Sequence, residues 1–298
     1  MATQIILALC EGPHDVAFIC KILKSSGFVS NEHLKINQFP QPMNTLMEQE
    51  IIKTDVQELN LQQIRQNILP LNTLQNSENY VFLYSMGGDS KKDSRQNILK
   101  SIKLNIPEPG EIAIGRLPEG TQFSVVYFFD ADNKGLAVRL TEVETEIREV
   151  LTTLPVGAFP NNGSFGTYEG VKIGSYIFTG TDNNLGKLED ILVPLMQAEN
   201  EEIFGNAETF LDANHNAARI FPLKLTIDAA GGITETRSTK KGDTNFDRTK
   251  SVIGITGQLQ RSGKPNTAFI TDTDYLTLQK ITTNAKCIQI IDFFYQFI

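Results

Sequence analysis

Residues 123–129 form an almost unbroken apolar run, Phe-Ser-Val-Val-Tyr-Phe-Phe. This pattern is typical of a strand that is covered on both faces, because a strand with one wet face alternates apolar and polar residues. Residues 4–10 form a second compact apolar run, which ends at the turn Glu11-Gly12-Pro13. Each run therefore predicts a buried strand that stops abruptly at acidic residues.

Helices are predicted between the strands. The helix that starts at Asp15 repeats apolar residues at helical spacing and stops at Gly27. Residues 136–151 carry apolar residues on one face and glutamates on the other. Further strands are predicted at 80–84 and 172–179, and further helices near 94–102 and 188–198. This alternation predicts an α/β fold with a mainly parallel, Rossmann-like sheet flanked by helices.

The predicted core covers residues 1–198 and contains an insertion at about 29–78. The insertion is rich in Gln and Asn and is interpreted as short helices around 45–52 and 61–68. Residues 199–298 are interpreted as a C-terminal extension that packs on the core, with a weak helical pattern from about 272. Within this extension, the polar stretch 229–247 is predicted to be a mobile loop.

Composition limits the class of protein. No apolar run reaches the roughly 18 residues of a membrane span. The N-terminus lacks the basic start and cleavage site of a secretory signal. Cys10, Cys20 and Cys287 are too few and too scattered for a disulfide framework. We therefore expect a cytoplasmic protein.

The net charge of −8 argues against a broad basic face for nucleic acid. Net charge is a sum over the whole surface, however, and Lys and Arg are grouped near residues 91–95 and 240–264. Bound cations also attract phosphate, and the sequence charge does not include them. The acidity therefore leaves a phosphate-containing substrate open.

Acidic residues follow two of the predicted strands. Glu11 comes directly after the first strand, and Asp130 and Asp132 follow the strand at 123–129. Ligands of open α/β sheets bind at the carboxyl ends of strands, and Asp15, one helical turn past Glu11, faces the same crevice. Carboxylates gathered there would repel one another unless cations held them together, and hard oxygen ligands favour Mg²⁺ or Mn²⁺. Taken singly, Glu11 is equally a solvated loop residue, and Asp15 a charge that suits a helix N-terminus.

The order of these motifs resembles the TOPRIM domain, which topoisomerases, bacterial-type primases, recombination-repair proteins and overcoming-lysogenization-defect nucleases share. The resemblance rests on Glu11-Gly12-Pro13-His14-Asp15 after an apolar strand, and on Asp130-Ala131-Asp132 after another. The segment 186–192, Gly-Lys-Leu-Glu-Asp-Ile-Leu, adds a Gly-x-Leu-Glu-Asp motif in the expected order. Stand-alone TOPRIM-like proteins and these nucleases are the most similar members. The resemblance covers about residues 4–27, 78–153 and 170–198.

The resemblance implies a TOPRIM-like sheet and a role for each matching residue. Glu11 would bind metal or act as general base, and Asp130 and Asp132 would hold Mg²⁺. Asp15 would complete one metal site and Glu189 would serve a second, because two metals can stabilise the attacking and leaving oxygens of an in-line displacement. Nucleases of this type also use a late lysine, for which Lys250 is the first candidate and Lys187 the second. For each lysine, an exposed solubilising role is the alternative.

Several absences narrow the activity. The chain has no evident nucleophilic tyrosine domain, no Cys/His zinc cluster and no Walker-type phosphate loop, so any ATPase would be a separate partner. His14 lies within the first motif but is interpreted as a solvent-facing turn residue. The leading hypothesis is a metal-dependent nuclease acting on DNA or RNA in defence or repair. The alternatives are a catalytically inactive TOPRIM-like module that binds protein or nucleic acid, and an unrelated Asp-x-Asp transferase or phosphatase.

Overall fold

A computed structural model describes residues 3–52, 69–88, 91–106, 118, 120–240 and 246–298. The helix that the sequence predicts at 61–68 lies outside these residues. Within them, no helix is long and apolar enough to cross a membrane.

Nine strands are found in the described part of the chain. In chain order they are β1 (Gln4–Cys10), β2 (Val29–Ser30), β3 (Asn72–Asn76), β4 (Asn79–Ser85), β5 (Gln122–Asp130), β6 (Phe165–Tyr168), β7 (Val171–Phe178), β8 (Leu223–Ile227) and β9 (Ile233–Arg237). The α-helices of the same residues are α1 (Pro13–Ser25), α2 (Met43–Ile52), α3 (Lys92–Asn105), α4 (Leu136–Arg148), α5 (Glu189–Gln197), α6 (Glu201–Asn214), α7 (Arg248–Gly257), α8 (Asn266–Asp272), α9 (Leu278–Thr283) and α10 (Ala285–Tyr295). Every strand and helix predicted within the described residues is present, with ends shifted by a few residues.

Seven strands form one sheet in the order β2-β3-β4-β1-β5-β7-β6. The four central strands β4, β1, β5 and β7 run parallel, so their carboxyl ends meet at one edge. The chain passes from β1 to β4 on one side and then crosses to β5 on the other. The gap between β1 and β5 is therefore a topological switch point, which is where open α/β sheets form their ligand crevice. The fold class is the predicted one: α/β, mainly parallel, Rossmann-like and flanked by helices.

The central strands are buried because helices cover both faces of the sheet. The residues Ile5 to Cys10 of β1 are at most 1% exposed, and Phe123 to Phe129 of β5 are at most 5% exposed. The two faces bury alternate residues of the same strand, which explains why the strands are apolar throughout. This rigid centre carries the acidic residues at its carboxyl edge.

The interpretation of residues 29–78 as a helical insertion is correct only in part. The predicted helix at 45–52 is present as α2, but the two ends of the insertion form β2 and β3. β2 pairs antiparallel with β3, and β3 pairs antiparallel with β4, which extends the sheet. Their residues are largely polar because this is the edge of the sheet, so the apolar signal of a central strand is missing.

The chain divides into two compact units, residues 1–192 with 276–298, and residues 193–275. The first contains the seven-stranded sheet, and α9 and α10 near the C-terminus belong to it. The second has its own apolar centre, in which the rings of Phe204 and Tyr275 meet edge to face at 5.5 Å. The prediction of a mobile loop at 229–247 is wrong at residues 233–237, which form β9 and pair with β8. The alternation of Leu223, Leu225 and Ile227 before a Gly-Gly turn was a readable hairpin signal.

Candidate metal centre

Glu11 lies at the carboxyl end of β1 and is fixed by both neighbouring strands. Its N–H donates to the carbonyl of Phe128 at 3.0 Å, and its carbonyl accepts from Gly87 N–H at 2.8 Å. Gly87 is in very close contact with it: a Cβ at position 87 would lie 2.1 Å from Glu11 O and 2.3 Å from Glu11 Cγ. Only glycine allows the backbone to approach this closely, so the turn after β4 fixes the position of Glu11.

Asp15 lies in the first turn of α1, which begins after Gly12 with Pro13 in the first helical position. Its Oδ2 accepts the Gly12 N–H at 2.7 Å, which caps the helix. The side chain is only 5% exposed, and Oδ1 is buried with no hydrogen-bond partner among the described residues. One carboxylate oxygen therefore has a structural role, and the other is a buried acceptor without a partner among the described residues.

Asp130 joins the two strands at the switch point. Its N–H donates to Glu11 Oε2 at 3.0 Å, and its own Oδ1 accepts from Leu188 N–H at 2.8 Å. The Leu188 amide precedes α5, so the start of that helix is held against Asp130. The carboxylates that follow β1 and β5 thus belong to one hydrogen-bonded network.

Glu189 is the first residue of α5 and is 3% exposed. Its Oε1 lies 3.3 Å from His14 Nδ1, and its Oε2 lies 3.7 Å from Lys187 Nζ. The interpretation of His14 as a solvent-facing turn residue is wrong, because its side chain is 16% exposed and contacts Glu189. His14 lies on α1 one residue before Asp15, and Glu189 acts on both residues: it contacts His14 and raises the pKa of Asp15.

Electrostatics shows that Glu11, Asp15, Asp130 and Glu189 act on one another; we call these four residues the acidic cluster. Burial raises the pKa of Asp130 to about 9, with further increases from Asp15, Glu11 and Glu189. Burial also raises the pKa of Asp15 to about 7, and Glu189 and Glu11 add to it, although the Gly12 hydrogen bond opposes the shift. Without a cation, Asp130 therefore resists ionisation at neutral pH, and Asp15 is only partly ionised.

Asp132 takes a different position from the other four carboxylates. Its Oδ2 accepts from Arg139 Nη2 at 2.9 Å, and its side chain is 46% exposed. Its backbone has a φ of 49°, in the left-handed region, and exchanges hydrogen bonds with Gly186. The turn after β5 therefore directs Asp132 towards Arg139. The structure brings the other four of the five predicted carboxylates close enough to act on one another electrostatically.

Arg139 was not predicted to contribute to the site. Its Nε donates to the carbonyl of Asp130 at 2.8 Å, and its Nη1 donates to Glu142 Oε2 at 3.1 Å. Arg139 lies in the first turn of α4. Its bonds to Asp130 and Asp132 therefore tie the turn after β5 to the start of that helix. The available signal was the position of Arg139, seven residues after Asp132 in the helix that follows the motif.

The two candidate lysines lie in different units. Lys187 is in the first unit, beside Glu189. Lys250 lies on α7 in the second unit, where its N–H donates to Asp247 Oδ1 at 2.9 Å and its carbonyl accepts from Asn266. The structure thus gives Lys187 a contact with the acidic cluster and gives Lys250 backbone contacts within its own unit.

The chemistry of the acidic cluster fits a hard divalent cation. All its donors are carboxylate oxygens, and the orphaned Asp15 Oδ1 is a buried acceptor that a cation would satisfy. In the part of the chain that the structure describes, no three His, Cys, Asp or Glu side chains are already arranged to coordinate a metal. Binding would therefore require carboxylate groups to exchange internal hydrogen bonds for metal ligation.

Comparison with known proteins adds a family. No curated protein and no solved structure matches the chain. A family model described as "Protein of unknown function (DUF3226)" matches residues 5–297, which is nearly the whole chain. This chain is therefore a member of the DUF3226 family.

Proposed function

We propose that this protein is a Mg²⁺- or Mn²⁺-dependent phosphodiesterase of the nuclease type, with its cation held by the acidic cluster. The observation that carries the proposal is the buried carboxylate of Asp15, whose Oδ1 has no partner among the described residues. It lies at the carboxyl edge of the sheet, at the switch point, and Glu11 and Glu189 act on it electrostatically. Unpaired buried carboxylates are costly, and a divalent cation removes that cost.

The residues around the acidic cluster support phosphoryl chemistry. A bound divalent cation polarises a phosphoryl oxygen and lowers the pKa of water. In this proposal Glu11, fixed by Gly87 and by the Asp130 N–H, would accept a proton at its Oε1. The Lys187 ammonium, 3.7 Å from Glu189, would stabilise charge on a transferred phosphoryl group. In this proposal Lys187, which contacts Glu189, takes the role of the late lysine, and Lys250 is the other candidate.

The proposed substrate is DNA or RNA, and the proposed setting is mobile-element defence or repair, as the resemblance to TOPRIM nucleases implies. An ATPase, where one is needed, would be a separate protein. We propose a cytoplasmic location because the three cysteines are free and buried, as expected for a reducing compartment. A metal site would also allow an acidic protein to recruit phosphate without a broad basic surface.

The test is cleavage of labelled DNA and RNA with Mn²⁺, Mg²⁺ or chelator, by the wild type and by Glu11→Gln and Asp130→Asn. We expect metal-dependent cleavage that each substitution reduces by at least about 100-fold, the scale for losing a group that stabilises the transition state. Glu208→Gln, on α6 in the second unit, is the matched control for loss of one carboxylate. Cleavage that survives both substitutions would refute the proposal.

A second candidate, a catalytically inactive binding module, also has support. Glu11, Asp15 and Glu189 each have a carboxylate oxygen in contact with an internal donor, so the cluster already forms a partly satisfied network. Among the described residues, no three His, Cys, Asp or Glu side chains are already arranged to coordinate a metal ion. Oligonucleotide binding without Mn²⁺ binding or cleavage would favour this candidate.

A further inference from the structure

A pocket of about 700 Å³ opens in the first unit, between the β6–β7 edge of the sheet and α10. It is distinct from the acidic cluster and shares no residue with it. The residues that matter for ligand chemistry are Asn161, Phe165, Tyr176, Lys286, Gln289 and Asp292. They combine an aromatic wall, one ammonium group, amides and a carboxylate.

Lys286 is the positive group of this pocket. Its Nζ donates to Thr179 Oγ1 at 3.2 Å and to Asn183 Oδ1 at 2.6 Å, and both acceptors are neutral. No described carboxylate lies within ion-pair distance of it; burial lowers its pKa, and the more distant Asp182 carboxylate opposes that shift. Asn183 adopts a φ of 55°, so this acceptor is held in the strained left-handed region. The ammonium group is thus preorganised for an anion.

The aromatic wall is partly open to solvent. Phe165 is on the edge strand β6 and is 42% exposed, although it lies against Phe297 and the ammonium of Lys172. Tyr176 is buried on β7, next to the ring of Phe293. Lys172 Nζ lies over one face of the Phe165 ring, 5.2 Å from its centroid, and aromatic rings next to cations are typical of sites on which nucleic-acid bases stack.

Polar groups at the rim match the edges of a base. Asn161 and Gln289 provide amides, which can both donate and accept hydrogen bonds. Asp292 provides an acceptor suited to an exocyclic amino group. An aromatic surface, base-edge partners and an ammonium group together fit a nucleotide better than they fit a purely apolar ligand.

The loop after β7 connects this pocket to the acidic cluster. Thr179 and Asn183 contact Lys286, and Leu188 at the end of the same loop donates to Asp130. The five residue-to-residue steps from Asn183 to Leu188 span at most about 18 Å when fully extended. One single-stranded nucleic acid can occupy both the pocket and the acidic cluster, because proteins bind such chains at sites of about 4–16 nucleotides.

We infer that this pocket holds a nucleotide of the single-stranded substrate, with its base on Phe165 and its phosphate at Lys286, next to the phosphodiester at the acidic cluster. The inference rests on the proposed function, since it assigns a place to part of that substrate. Binding in the pocket does not need metal or turnover, so it is measurable separately.

The experiment is fluorescence-anisotropy binding of a labelled single-stranded DNA, and of the matching RNA, of about 12 nucleotides in chelator. We expect Phe165→Ala to weaken binding at least about fivefold, the lower limit for loss of one stacked base. Lys286→Gln should weaken binding and reduce the slope of log affinity against log salt by about 0.7, whereas Lys286→Arg should keep the slope. The matched controls are Phe210→Ala and Lys35→Gln, at exposed positions outside the pocket.

Each outcome of this experiment either supports or overturns the inference. Wild-type binding that both pocket variants leave unchanged overturns the inference, while Mn²⁺-dependent cleavage in the parallel assay keeps the proposed function. Weakened binding by the variants without any cleavage supports the pocket and refutes the proposed function. Absence of wild-type binding, or equal affinity for free deoxyadenosine 5′-monophosphate, overturns the assignment of a strand to the pocket. If Phe165→Ala lowers the midpoint of thermal unfolding relative to the wild type, Phe165→Leu takes its place in the binding experiment.

Discussion

Substituting Gly87 by alanine would disturb Glu11 without changing any charge. The new Cβ would lie 2.1 Å from Glu11 O, whereas ordinary contacts begin at 3.4 Å, so the atoms must separate by 3.4 minus 2.1, or about 1.3 Å. The contact is with backbone as well as side chain, so a rotamer change cannot relieve it. We expect Gly87→Ala to lower the free energy of unfolding by about 1–3 kcal/mol, as overpacking does. A displacement of about 1 Å also reduces catalysis by about 100-fold.

Two assays check this prediction: urea unfolding followed by circular dichroism, and Mn²⁺-dependent cleavage at a temperature where both proteins are folded. Gly205→Ala on α6 is the matched control, because a Cβ there meets nothing within 4 Å. It should leave cleavage unchanged and raise stability by about 0.5–1 kcal/mol. If Gly87→Ala unfolds and cleaves like the wild type, the turn after β4 does not fix Glu11 and the reasoning is refuted.

Three further predictions test the pKa shifts of Asp15 and Asp130, a buried ion pair in the first unit, and the role of Arg139. In metal-free protein, the urea midpoint of unfolding should fall as pH rises from about 4 to 9. Folding raises the pKa of Asp15 from 3.8 to about 7 and that of Asp130 from 3.8 to about 9, so the folded state binds more protons than the unfolded state across this window. Asp130→Asn should flatten this pH profile, and a midpoint that rises with pH would contradict the prediction. Arg95→Met should destabilise the fold by about 3–5 kcal/mol, because it leaves the buried Glu146 carboxylate without Arg95, whose Nε and Nη2 now donate to it at 2.8 and 2.6 Å. The double variant Arg95→Met, Glu146→Leu should recover most of that loss in urea unfolding. A double variant as unstable as Arg95→Met would rule out the buried charge as the cause. Arg139→Met should reduce Mn²⁺-dependent cleavage while the circular dichroism spectrum stays unchanged, because Arg139 holds the carbonyl of Asp130; full activity would remove Arg139 from the site.

The central sheet could be predicted because its strands are buried on both faces, so β1 and β5 are apolar at nearly every position. The edge strands β2, β3 and β6 could not, since short and partly polar segments acquire their structure from pairing with distant residues. The hairpin of β8 and β9 did alternate in sequence, but its polar surroundings concealed the pattern.

The acidic cluster was predictable from the rule that carboxyl ends of parallel strands meet at one edge. The direction of each side chain was not. Asp132 follows the same strand as Asp130, yet a positive φ turns it towards Arg139, and this ion pair depends on where α4 begins. The contact between His14 and Glu189 joins residues 175 positions apart, so only the folded chain reveals it.

Mn²⁺ binding measured by isothermal titration calorimetry tests the central claim most directly. The wild type should bind Mn²⁺ saturably, and Asp15→Asn and Asp130→Asn should each reduce affinity at least about tenfold, the lower end for disrupting a metal site. Asp132→Asn should bind like the wild type, because Asp132 is paired with Arg139 outside the acidic cluster. Saturable binding that is lost in Asp132→Asn but kept in Asp15→Asn, or no binding at all, would contradict the account.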